Sequence, residues 1–300
     1  PSYFGFNSLN KVGVLYNQMK LNEFDKMDNK YVFGAISFDN LDFSLGLDVN
    51  SFKIQNTGLT INLANLSYVY KLQFDNDLFF LPAVTLGFGS SAVNPANLIF
   101  EDQLNTTTGF INTESIDRLA PVISNVNYLD LGASFMLHSE KFMAGLTLKH
   151  LNKPNTSFNK EIPFEKPIKI SVQGAYEFDI NPYERRYLPR YSYLFAYGSF
   201  TKFGDSVLIY LSQDFQLGEF SLGLSQQASS LNTFALNNVG VSIGLAVENF
   251  DFGILYNFPF QSPGAVFSPS IFELFVTFDF SIYRRNRRGQ YNRLQTDNYF

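Results

Sequence analysis

Between Leu41 and Val49 the chain alternates without a break: Leu41, Phe43, Leu45, Leu47 and Val49 against Asp42, Ser44, Gly46 and Asp48. A period of two marks a β-strand with one apolar face. The pattern returns over residues 129–137. After the polar punctuation His138-Ser139-Glu140-Lys141 it runs again over 142–148, so residues 128–155 read as an antiparallel hairpin that Pro154 terminates. It recurs over 168–179 and 239–247. Opposite the apolar residues stand small and polar ones, such as Gly132, Ser134, Gly145, Thr147, Gly240 and Ser242. A soluble β-sandwich also alternates. Small residues on the polar face, with few Lys and Glu on the strands, instead fit a barrel that is apolar outside and crowded and wet inside.

About 14 such runs of roughly ten residues each follow one another, the length that a tilted membrane-spanning strand needs. Their connections alternate. Short polar turns fall at 39–40, 75–77, 138–141, 217–219 and 249–250, and longer loops lie between them, above all 91–126 and 152–167. Short periplasmic turns and long extracellular loops are the outer-membrane signature. The expected fold is all-β: one transmembrane, antiparallel, up-and-down β-barrel over residues 1–280, in the bacterial outer membrane and surrounded by its lipid. An aromatic, irregular segment (1–10) opens the chain. An even strand count puts both ends of the barrel on the periplasmic side, followed by a basic tail, 281–300. Pro82, inside the run 78–89, predicts a bulge or an early strand end. Residues 228–238 read as a Ser/Asn-rich loop.

No window reaches 18 consecutive apolar residues, so no transmembrane helix is expected. The mean hydropathy of −0.05 does not argue against a barrel, because lumen and lipid residues cancel. The aromatic content does argue for one: 34 Phe and 17 Tyr suit strands and interfacial girdles. A net charge of −5 speaks against nucleic acid. Without Cys there is neither a disulfide framework nor a thiolate metal site. A start at Pro1 reads as a mature form already processed.

Enzymatic chemistry finds little purchase. Hydrolysis needs a nucleophile and a base, and the two histidines, His138 and His150, fall at opposite ends of one strand pair. No G-x-S-x-G motif exists. Glu101-Asp102 are adjacent acids in a polar loop, and Gly87-Phe88-Gly89-Ser90 ends a strand rather than opening a helix, so it is no phosphate loop. Neither a cofactor nor a metal is expected.

The hairpin carries a more specific signal. Residues 142–158, FMAGLTLKHLNKPNTSF, resemble the pattern Y-x-G-x-S-x-x-H-L-N-x-P-N-x-S-F of the PorP/SprF family. These are Bacteroidetes outer-membrane proteins of the type IX secretion and gliding-motility systems. HLNxPNxSF is the most specific element, and weaker similarity covers most of the chain. The family's early N-P-A-[YF]-A-G motif is absent, with Phe6-Asn7-Ser8-Leu9-Asn10 standing nearby.

The resemblance implies a barrel that binds the C-terminal domain of a type IX secretion substrate, typically a large cell-surface adhesin, assisting its secretion or anchoring it at the surface. The implied candidate contacts are Asn94, Phe100 and Phe110 in the first long loop. In the second they are His150, Leu151, Asn152, Pro154, Asn155 and Phe158. Asn152, Pro154 and Asn155 are equally good turn formers. The basic tail, with Arg284, Arg285, Arg287 and Arg288, is expected either to meet periplasmic secretion or motility components or inner-leaflet phospholipid head groups, or to be a solvated end. The competing expectation is a passive pore or a transporter of hydrophobic substrates, with the lumen open unless the 1–10 segment or the long loops plug it.

Overall fold

The computed structural model describes residues 1–8, 10–20, 26–38, 41–75, 77–94, 98–99, 101–104, 109, 111, 115, 125–158, 162–183, 187–189, 192–230, 234–260 and 270–280. Fifteen strand segments follow a short 3₁₀ helix, Ser2–Ser8. They are β1 (Lys11–Lys20), β2 (Lys26–Phe38), β3 (Phe43–Ile54), β4 (Thr60–Tyr70), β5 (Leu72–Asp75), β6 (Leu78–Ala92), β7 (Asn125–His138) and β8 (Phe142–Lys149). After a long loop come β9 (Lys169–Asp179), β10 (Ser192–Phe203), β11 (Ser206–Leu217), β12 (Phe220–Ser230), β13 (Phe234–Val247), β14 (Phe250–Pro259) and β15 (Ser270–Asp279).

Each strand pairs antiparallel with its neighbours in sequence, except that β4 and β5 do not pair with each other. The sheet closes where β1 meets β15, from Lys11↔Asp279 to Lys20↔Ser270. Closure removes the edges that would otherwise leave unpaired N–H and C=O groups in lipid. β4 and β5 both pair with β6, so they are two pieces of one stave and the barrel has 14 staves. The break has a cause. Val69 pairs with Ala83 and Leu72 with Phe80, which sets Pro82 against the junction at Tyr70 and Lys71. Pro82 has no N–H to give the ladder. The interruption therefore appears in the neighbouring stave, while β6 runs on through Pro82 as one 15-residue strand. Lys71 keeps its bond on the other side, donating its N–H to Asp42 O at 2.8 Å.

Residues 228–238 also depart from expectation. β12 extends to Ser230 and β13 begins at Phe234, with a register shift between Gln227 and Ala228. The polar composition there belongs to paired strand, because half of each stave faces a polar lumen and needs no apolar residue on that side.

Outward faces are apolar: Leu45, Leu47 and Val49 on β3, Leu129 and Leu131 on β7, and Ile243 on β13 are all exposed. Toward the short-turn rim, outward aromatics touch in series. Phe38 stacks on Phe43 (4.8 Å between centroids), Phe43 on Tyr68 (5.4 Å), Phe74 on Phe80 (5.9 Å), and Phe250 meets Phe278 (4.7 Å). This is a girdle at a membrane interface. The strand ends that lead into the long connections, Ala92 and Asn125 and then Lys149 and Lys169, lie at the other rim, as expected of the extracellular side. The short-turn rim is uneven in one place: β9 and β10 are joined by residues 180–191.

Candidate functional site: the filled lumen and the long-loop rim

The first residues turn inward rather than away from the barrel. The Ser2–Ser8 helix enters the lumen from the short-turn end and packs against β2, β3, β4, β6 and β7. Ser2 donates its N–H to Ser134 Oγ (2.9 Å), and the two hydroxyls share a second bond of 2.7 Å. The Phe4 ring lies over Gly46, where a Cβ would stand 2.0 Å from it. Phe6 meets the His138 ring edge-on at 4.8 Å, and Phe79 stacks on the other side of that ring at 5.2 Å.

Around these rings an apolar cluster fills the lumen: Phe4, Phe6, Val69, Leu81, Met136, Met143, Tyr193 and Phe195. Phe6, Val69 and Met136 are 1% exposed and Leu81 0%, so the segment and this wall of the lumen pack without solvent between them. On the opposite wall the filling is polar. Lys11 donates to Asp251 at 3.0 Å, Thr277 donates to the same carboxylate at 3.0 Å, and Ser225 donates to Asn257 at 2.8 Å. Burying these groups is tolerable because each has a partner. Glycine makes room for several: Gly223 faces Asp214 and Ser242, and Gly240 faces Asn257 and Ser225.

The HLNKPN segment is built onto β7 at the long-loop rim. β8 stops at Lys149 and pairs only with residues 133–138 of β7, leaving the upper half of β7 with an open edge toward it. The segment covers that edge. Leu151 donates its N–H to Leu131 O at 2.9 Å. One step further a side chain replaces the backbone: Asn152 Nδ2 donates to Leu129 O at 2.8 Å, and Asn152 Oδ1 accepts from Leu131 N–H at 3.0 Å. A carboxamide carries one donor and one acceptor in the geometry of a peptide group, which is why Asn serves here.

His150 and Lys153 adopt left-handed backbone conformations, φ 61° and 43°, which costs an L-residue roughly 1–2 kcal/mol each. Local bonds hold them. His150 Nδ1 lies 2.9 Å from Asp130 Oδ1, both buried, and Lys153 donates its N–H to His150 O at 3.0 Å. Beyond the buried Pro154, Asn155 Oδ1 accepts from the N–H groups of Ser157 and Phe164, both at 3.0 Å. Lys166 then reaches back to β7, donating to Tyr128 Oη at 2.7 Å with its ammonium 4.5 Å from the ring centre. The Tyr128 ring occupies the space over Gly89 on β6.

Of the candidate contacts, His150 and Pro154 are thus buried, Phe158 is half-buried, and Leu151, Asn152 and Asn155 are exposed. Asn94 is exposed just past β6. Phe100, Phe110 and the tail arginines Arg284, Arg285, Arg287 and Arg288 lie outside the described residues. Sequence reasoning missed Asp130, Tyr128 and Lys166, although the alternation over 128–137 already put Tyr128 and Asp130 on the non-apolar face. His138 and His150 do stand at opposite ends of the β7–β8 pair. Past the strand ends, the two long loops hold Ile99, Leu104, Ile111, Ile162 and Phe164 at least half exposed to solvent.

The family model for the type IX secretion system membrane protein PorP/SprF matches residues 1–278. The chain belongs to the PorP/SprF family. No curated protein matches it by sequence. Among solved structures, a deltaS2 mutant of the monoaromatic hydrocarbon channel TodX superposes with a TM-score of 0.53 at 11% identity, over 90% of this chain and 88% of that one. An outer membrane channel from Pseudomonas putida F1 gives 0.45 at 13% identity (91% and 96% covered). The Acinetobacter baumannii outer membrane protein Omp33 gives 0.47 at 10% identity (90% and 97%). The TodX likeness shows the fold alone. A PorP/SprF chain with a 14-strand barrel of this kind is an outer-membrane protein of type IX secretion.

Proposed function

We propose that this PorP/SprF protein binds the C-terminal domain of a type IX secretion substrate, a large cell-surface adhesin by its family context, and assists its secretion or anchors it at the surface. The observation that carries this reading is the pairing of an N-terminal segment packed inside the lumen with apolar, solvent-exposed loops. Ile99, Leu104, Ile111, Ile162 and Phe164 stand beyond the strand ends, where lipid does not cover them, and exposed apolar side chains on a soluble face mark interaction sites. The HLNKPN lock fixes the second loop to β7 and so gives a partner a rigid platform. Asn94, Leu151 and Phe158 are the candidate contacts on that platform, together with Phe100 and Phe110. His150, Asn152, Pro154 and Asn155 shape it. In the same reading the tail arginines face periplasmic components of the machinery.

The test is a pull-down of the tagged protein from detergent-solubilised outer membranes, read by mass spectrometry. Capture of one large secreted protein through its C-terminal domain is expected. Deletion of residues 94–120, or Ile162→Ser with Phe164→Ser, should reduce that capture at least tenfold. Recovery of the barrel alone, together with sustained ion conductance in planar bilayers, would replace the receptor reading with that of a pore.

A further inference from the structure

Several charged groups inside the barrel have hydrogen-bond partners. Lys11 meets Asp251, Asp214 accepts from Ser212 and Ser242, Asp48 accepts from Asn65, Glu273 from Asn17, and Asp130 pairs with His150. Lys149 and Lys169 break the pattern. They are direct partners across the β8–β9 ladder, so both side chains leave the same face of the sheet. That face is the lumen, since Met143 and Ala175, an even number of residues away on the same strands, belong to the interior cluster. Both lysines are half-buried. Among the described residues, neither ammonium has a carboxylate within 4.0 Å. Like charges directly opposite each other destabilise a sheet, and the buried α-amino group of Pro1 adds a further positive charge near Lys149.

At the long-loop end of β9–β12 lies a cavity of about 410 Å³ lined by His150, Lys169, Thr201, Phe203, Leu208 and Ser229; Lys149 stands across the ladder from Lys169. The His150 and Phe203 rings meet at its edge, 5.9 Å apart. The hydroxyl groups of Thr201 and Ser229 line the same cavity, Thr201 sharing a hydrogen bond with Ser171 and Ser229 accepting one from Asn237.

We infer that the Lys149–Lys169 pair and this cavity form a carboxylate-binding subsite in the mouth of the barrel. It takes an acidic side chain or the α-carboxylate of a polypeptide entering from the long-loop side. The origin of that polypeptide rests on the receptor reading above; the subsite itself does not. A carboxylate between the two ammonium groups turns their repulsion into two charge-assisted hydrogen bonds. A neutral or cationic segment leaves the repulsion in place, so the pair selects for acid. Four-carbon lysine stems let both heads converge on one anion without moving the strands.

The experiment titrates the full chain in detergent, by calorimetry, with three pentapeptides. Gly-Ser-Asp-Ser-Gly blocked at both ends presents one side-chain carboxylate. Gly-Ser-Asn-Ser-Gly with a free C-terminus presents one α-carboxylate. The doubly blocked Asn peptide presents neither. Binding of either acidic probe at least tenfold tighter than the blocked Asn peptide is expected, and which probe binds identifies the source. Lys149→Gln and Lys169→Gln should each weaken it tenfold or more, while Lys169→Arg retains it. Without peptide, Lys169→Gln should raise the unfolding temperature, because it removes the repulsion. No preference for the acidic probes, or a preference untouched by both Gln variants, would overturn the inference, and so would a lowered unfolding temperature in Lys169→Gln. None of these titrations involves the secreted partner, so their failure leaves the pull-down result standing, and the reverse holds.

Discussion

Replacing Phe4 and Phe6 together by Ser should open the barrel. The rings are 7% and 1% exposed, and burial of 150–250 Å² of aromatic surface at about 25 cal/mol per Å² is worth about 4–6 kcal/mol per ring. The pair therefore contributes about 8–12 kcal/mol, an upper figure because an unfolded segment already hides some surface. Two hydrogen bonds between Ser2 and Ser134 add about 1 kcal/mol each. Against this stands the ordering of the seven-residue helix, about 1–2 kcal/mol per residue or about 7–14 kcal/mol in all. The balance is close, so losing both rings leaves nothing to hold the segment inside, and it departs with the lumen emptied where Phe4 and Phe6 stood. Single-channel recording in planar bilayers reads the outcome. The wild-type barrel should stay silent, and the Phe4→Ser, Phe6→Ser barrel should pass stepwise ion current, with residues 1–10 becoming cleavable by added protease. A silent double variant whose segment is cleaved would refute the view that this segment is the stopper. Steady current through the wild type would refute the closed lumen itself.

Other perturbations test the supports of the site. Asn152→Ala leaves Leu129 O and Leu131 N–H without their partner and should destabilise the barrel by about 1–3 kcal/mol, read as a lower temperature for the heat-induced mobility shift on gels; no change would mean that water replaces the carboxamide. Lys11→Met takes the ammonium from the buried Asp251, leaves its charge uncompensated beside Thr277 and should cost about 3–5 kcal/mol, whereas Lys11→Met with Asp251→Leu should recover most of it; equal losses in the single and double variants would count against the pair. Gly89→Ala places a Cβ 2.2 Å from the Tyr128 ring. It should push that ring off β6, unseat Lys166, and raise proteolytic cleavage within 150–168 while the barrel stays folded. An unchanged cleavage pattern would show that the Lys166–Tyr128 contact does not hold the loop.

The alternating runs along the chain, clearest over residues 41–49 and 128–148, were enough to predict strands, their apolar outer face and a barrel of about 14 staves, because in lipid only a closed sheet satisfies every backbone group. Turn chemistry at Asp39-Asn40 and Gly218-Glu219 marked the short-turn rim, and HLNKPN marked the family. Each of these is local: a period, a turn residue, a run of adjacent positions. The effect of Pro82 was not local. The missing N–H is a property of residue 82, but the break it produces appears at Lys71, on the stave that the register sets beside it.

The same holds for the site. Sequence placed His150 and Asn152 in one loop without showing that Asp130 waits for one and the edge of β7 for the other, since these partners lie about twenty residues back and meet only through the hairpin register. Ser2 and Ser134, Phe4 and Gly46, and Lys149 and Lys169 are likewise strangers in the chain. Which face of a stave is wet follows from its own residues. What fills the lumen between the staves depends on side chains from many strands converging across the barrel, and that convergence exists only once the sheet has closed.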